Sequence, residues 1–103
     1  MGKVLRTPEA EESLLEIGRY IAKQTQSRQR AFDVLDRIDA KCELYSDYPM
    51  AGSPSDVAQG LRCFPIDSFV VIYRPLHDGI HVLLVAHGHQ DIPELFRRFF
   101  PDE

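Results

Sequence analysis

The sequence predicts an α+β fold: a short N-terminal strand, an antiparallel helical hairpin packed on an antiparallel three-stranded meander, and a short C-terminal helix. Three observations carry this prediction. Two capped segments in the first half repeat apolar residues at helical spacing. Three β-rich runs in the second half are joined by tight turns. No internal repeat marks a second unit, so one domain over residues 1–103 is expected.

Lys3-Val4-Leu5-Arg6 suits a short first strand. Thr7-Pro8-Glu9 then opens a helix. The Thr7 hydroxyl caps it, and Pro8 fits the first helical position, where its missing N–H costs nothing. Glu9, Glu11 and Glu12 complement the positive end of the helix dipole. Ala10, Leu14, Ile17 and Ile21 carry the apolar stripe to about Lys23. Thr25-Gln26-Ser27 breaks the pattern and offers a second cap. Ala31, Val34 or Leu35, Ile38, Cys42 and Tyr45 form the next stripe, with Arg30, Asp33, Asp36, Arg37 and Lys41 opposite. So short a connection makes the two helices antiparallel.

Tyr48-Pro49 ends the helical signal, and Met50 to Gly60 reads as a mobile loop. The strands follow as Leu61–Ile66, Phe69–Pro75 and Ile80–His87. Asp67-Ser68 turns the first pair, and His77-Asp78-Gly79 the second. Short links require antiparallel pairing. Asp91 caps a last short helix that Pro101 ends. Leu95, Phe96, Phe99 and Phe100 crowd this helix with apolar bulk. It either packs on its own domain or docks another chain.

Composition excludes several function classes. The longest apolar run falls short of a membrane span, and no signal peptide is readable, so a cytoplasmic protein is expected. The net charge of −4 argues against a surface built chiefly for nucleic acid. Cys42 and Cys63 read as two small buried hydrophobes, not as a disulfide. No zinc spacing, P-loop, dinucleotide fingerprint or nucleophile elbow is present, so neither metal nor cofactor is expected.

The residues with chemistry to offer are few. His77 in its turn reads as solvated, and His81 as exposed or half-buried. His87-Gly88-His89 sets two imidazoles at the end of the last strand, and histidine titrates near neutral pH. Arg62 and Arg74 are the two permanent cations of the meander. If they met His87 or His89 on one sheet face, they would form a metal-free RNA-cleaving set of acid, base and phosphate-binding cations. The opposing expectation is that Arg62 and Arg74 pair with carboxylates, their own or a partner's.

Along the chain run Arg6-Thr7-Pro8-Glu9-Ala10, Ile17-Gly18-Arg19-Tyr20-Ile21-Ala22 and Tyr48-Pro49-Met50-Ala51-Gly52, followed by Gly60-Leu61-Arg62, Val71-Ile72-Tyr73-Arg74, Asp78-Gly79-Ile80 and His87-Gly88-His89-Gln90-Asp91. Taken in this order, these motifs resemble the RelE/ParE toxin superfamily of type II toxin–antitoxin systems. The resemblance spans about Val4 to Asp91. It implies a toxin neutralised by a cognate antitoxin that wraps over the hairpin and sheet. The helix-one motif and the His87-Gly88 ending look more like the ParE branch, whose members resemble gyrase poisons, than the RelE branch of ribosome-dependent ribonucleases. No lysine follows Lys41, which fits the same branch. Gln90 departs from the arginine that the family often carries there. On this reading Arg62, Tyr73, Arg74, Leu95, Phe96, Phe99 and Phe100 are the expected partner contacts, with DNA gyrase as target. The ribonuclease alternative would use Arg62, Arg74, His87 and His89. A third alternative is a non-toxic antitoxin-binding module.

Overall fold

The computed structural model describes residues 2–102. Strand β1 is Lys3–Arg6, and the hairpin helices are α1, Pro8–Thr25, and α2, Arg28–Asp47. A single 3₁₀ turn, Pro49–Ala51, leads to β2, Ser53–Pro54. The meander is β3, Arg62–Ile66, β4, Phe69–Leu76, and β5, Gly79–His87, and α3 is Ile92–Phe99. The strands lie in the order β1-β5-β4-β3-β2.

The caps form as the sequence requires. Thr7 accepts the Ala10 N–H at 3.0 Å, Ser27 accepts that of Arg30 at 3.2 Å, and Asp91 accepts that of Glu94 at 3.2 Å. Helix α1 runs two residues past Lys23 and stops at Gln26, whose φ of 54° is left-handed. The meander is antiparallel throughout, while β1 pairs parallel to β5. A parallel partner comes from far along the chain, here across the whole hairpin. Gly79 makes that pairing tight, because a Cβ there would run into the Lys3 carbonyl oxygen.

The segment read as a mobile loop is partly ordered. Its 3₁₀ turn is held to β4, and Ser53 and Pro54 extend the sheet beside Cys63 and Arg62. Two residues, one of them a proline and preceded by Gly52, carry too little β pattern to be read as a strand.

Both sheet faces are covered. The hairpin covers one, burying Phe64, Val71, Tyr73, Ile80, Val82 and Val85 against Ile17, Ile21 and Ile38. Helix α3 covers part of the other, with Phe96 on Leu61, Ile72, Leu83 and Leu84. Each such side chain contributes roughly 1.5–3 kcal/mol on burial. Cys42 lies in the first layer and Cys63 against the second, so both thiols are free. Burial pushes the Cys42 thiol up to about 12.

Between β4 and β5 the register shifts: Ile72 pairs with Leu84 but Tyr73 with Val82. Leu83 is therefore an extra residue, a β-bulge. The Thr7 hydroxyl donates to the Leu83 carbonyl at 2.7 Å, and the Thr7 N–H to that of Val82 at 3.0 Å. One buried threonine thus caps α1 and ties its start to the bulge.

Candidate functional site

The two arginines take opposite faces of the sheet. Arg62 pairs with Tyr73, on the hairpin face, while Arg74 follows Tyr73 and pairs with His81. Alternation along β4 turns Arg74 to the face that carries Ile72. The Arg62 guanidinium donates to the Gly52 carbonyl at 2.5 Å and is half-buried.

Tyr73 is fully buried. Its hydroxyl donates to the Pro49 carbonyl at 2.7 Å and accepts the Gly52 N–H at 3.0 Å. Its ring meets Tyr45 and Phe64 edge-on or tilted. Desolvation raises its pKa, which keeps the phenol neutral and able to donate. The expectation that Tyr73 contacts a partner is therefore corrected: its alternation faces the core.

The histidines sit at the other end of the sheet. His87 pairs with Phe69, four residues along β4 from Tyr73, or about 13 Å at strand rise. Its ring packs against Phe69 at 4.6 Å, His89 at 4.8 Å and Tyr20 at 5.5 Å between centroids. Desolvation first, and then the neighbouring His89, lower its pKa. Gln90 locks this strand end: its side-chain oxygen accepts the His87 N–H at 2.8 Å, and its own N–H donates to the His87 carbonyl at 3.1 Å. His77 is exposed and His81 half-buried, as expected. Arg62, Arg74 and His87 thus do not converge, and His89 stays with His87. The strand periodicity was readable, but the register that separates them was not.

The aromatic tail divides. Phe96 is buried, which removes it from the expected contacts, while Leu95 and Phe100 are half-buried and Phe99 is 43% exposed. Of the two arrangements open for this helix, packing on its own sheet is the one adopted.

Two clefts open beside these elements. The smaller, about 600 Å³, lies between α1 and α3. Glu9, Glu12 and Glu16 line its α1 side, Leu95 and Phe99 its α3 side, and Leu84, Val85 and Ala86 its floor. The other, about 740 Å³, is lined by Tyr20, Arg30, Arg37, Asp67, His87 and His89 among others. Its Arg37 is committed to Asp67 at 2.7 Å. Sequence reasoning did not single out the α1–α3 cleft. Its one signal was the spacing of Glu9, Glu12 and Glu16, which puts them on one helical face. No group of acidic, histidine or cysteine side chains among the described residues is arranged to hold a metal.

Hairpin, meander and parallel first strand together form a small two-layer α+β fold closed on its second face by α3. It is similar to a solved structure described as a chromosomal ParDE TA system from P. aeruginosa, with a TM-score of 0.72 and 19% identity, covering 84% of this chain and 96% of that one. A search of curated proteins finds no match. The family model of the ParE toxin of the type II toxin–antitoxin system parDE matches residues 4–92, and the chain belongs to that family. Most of α3 lies beyond the matched residues.

Proposed function

We propose that this ParE-family chain is a non-enzymatic toxin that inhibits DNA gyrase in the cytoplasm and is neutralised by a cognate antitoxin. The observation that carries this reading is the dispersal of the cations. Metal-free RNA cleavage needs an acid, a base and phosphate-binding cations around one phosphate. Here Arg62 donates to the Gly52 carbonyl, Arg74 faces the other side of the sheet, and His87 lies about 13 Å along the strand. A protein-binding surface needs no such convergence. The net charge of −4 supports the same reading, since ribosomal RNA favours cationic surfaces. Arg62, Arg74, Leu95, Phe99 and Phe100 remain the proposed contacts with protein partners. No helix among the described residues is long and apolar enough to cross a membrane, and no membrane partner is proposed.

The test is a supercoiling and cleavage assay on gyrase with the purified chain, run beside a translation assay on intact mRNA. The expected result is inhibited supercoiling with accumulation of cleaved DNA and uncut mRNA. Untouched gyrase with codon-linked mRNA cuts would replace this reading with the ribonuclease. Inactivity in both, with harmless expression, would leave an antitoxin-binding module.

A further inference from the structure

The two edges of the sheet are finished differently. At one end β2 pairs with Arg62 and Cys63 of β3. Ser55 donates to the Leu61 carbonyl, so Leu61, Cys63 and Pro65 are the residues there that turn their backbone away from β4. Past β2 the outward residue is Pro65, and on β2 itself it is Pro54. Neither has an N–H to offer, so proline blunts this edge.

At the other end stands β1, with no strand outside it and no proline within it. Lys3 donates to the Asp78 carbonyl and Thr7 to that of Val82. In a parallel ladder this alternation bonds Lys3, Leu5 and Thr7 inward to β5 and turns the N–H and C=O of Val4 and Arg6 outward. Lys3, Leu5 and Arg6 are exposed and Val4 is half-buried. Val4 packs against the hairpin core, so Leu5 points to the opposite face, where it is 47% exposed.

A two-fold axis through Leu5 matches this edge to itself. Antiparallel alignment then sets Val4 against Arg6 of a second copy, and Arg6 against its Val4. Both are outward residues, so each pair exchanges both of its backbone hydrogen bonds. Leu5 meets Leu5 of the second copy in the closer, non-hydrogen-bonded kind of pair, which joins two exposed apolar side chains. Lys3 falls opposite Thr7, so no like charges face each other across the strands. The adjacent two-fold registers fail. An axis through Val4 needs the Gly2 N–H, which Asp47 already takes at 2.7 Å. An axis through Arg6 opposes two guanidinium groups and needs an N–H from Pro8.

We propose that the outer edge of β1 is a self-association site, where two copies of the chain pair antiparallel through Val4, Leu5 and Arg6 into one continuous sheet. Charge favours the same occupant. On α2, Glu43 lies between Asp39, which Arg6 contacts at 3.7 Å, and Asp47, which takes the Gly2 N–H. Glu43 thus stands at the level of Val4, and the register brings each Arg6 alongside Glu43 of the other copy. Two short strands bury less than a standard interface, and each copy carries a net charge of −4, so the dimer is weak and forms at high concentration. This pairing is independent of the target proposed above.

The experiment follows the full chain by sedimentation and by backbone amide exchange over about a hundredfold range of concentration. The expected result is a monomer–dimer equilibrium in which Val4 and Arg6 gain protection as concentration rises, while Leu5, already bonded to β5, does not change. Leu5→Lys opposes two cations at the axis and weakens the dimer about tenfold. Leu5→Thr keeps a β-branched residue at this exposed position and weakens it less, and unchanged circular dichroism is the control for both variants. A chain that stays monomeric throughout overturns the proposal. So does a dimer that leaves Val4 and Arg6 unprotected, or one that folded Leu5→Lys does not weaken. If Val4 and Arg6 become protected only when the product of the adjacent reading frame is added, the edge belongs to that partner and the proposal falls.

Discussion

The Tyr73 hydroxyl lies 3.0 Å from the backbone nitrogen of Gly52, and a Cβ at Gly52 would run into that oxygen. This contact joins the central strand to the segment after α2. It also explains why a tyrosine occupies a fully buried site: its one polar atom donates to Pro49 and accepts from Gly52.

Tyr73→Phe should therefore cost about 1–2 kcal/mol, by leaving the Gly52 N–H without its partner. Gly52→Ala should cost at least as much through the clash. Urea unfolding measures both, and amide exchange at Gly52 should quicken in Tyr73→Phe.

Thr7→Val removes the α1 cap and the bond to the bulge carbonyl of Leu83 while keeping the shape of the side chain. A loss of about 2 kcal/mol is expected. Thr7→Ser should retain most of that stability, which separates the hydroxyl from the methyl.

His87 gives the fold a pH dependence. Its pKa is lowered from 6.5 by burial and by His89, so the folded state resists protonation. Above that value both states are neutral and nothing is lost. As pH falls below 6.5, the unfolded chain takes up the proton first and gains on the fold. The loss levels off once the folded histidine also titrates. The thermal midpoint should fall more between pH 7 and 5 in the native protein than in His87→Gln (both pH values about neutral and mildly acidic).

Phe96→Ala should cost about 3 kcal/mol and loosen α3 from the sheet. Exchange in α3 should become fast, while the hairpin keeps its protection. If α3 instead contributed nothing to the fold, its removal would leave the unfolding midpoint unchanged.

The thiols offer a further check on packing. Burial pushes the Cys42 thiol up to about 12, and desolvation also raises that of Cys63, which is only half-buried. A thiol reagent at pH 8 (about half a unit below an ordinary thiol) should label Cys63 first, and Cys42 only as fast as the chain opens.

The helix starts and the meander were legible along the chain. Thr7-Pro8, Ser27 and Asp91 start helices through local hydrogen bonds that need no distant partner. Phe69 to Tyr73 and the Asp78-Gly79 turn specify a hairpin by alternation and turn geometry. The ordered motifs were enough to point to the toxin family that residues 4–92 match. What these elements bring together was not legible there. Whether Arg62 meets His87 depends on register and on the bulge at Leu83, and pairing partners far apart in the chain leave no local periodic trace. The short β2 and the parallel docking of β1 have the same origin. The helix and turn signals are short-range, whereas the placement of each charge against another comes from how sheet and helices pack.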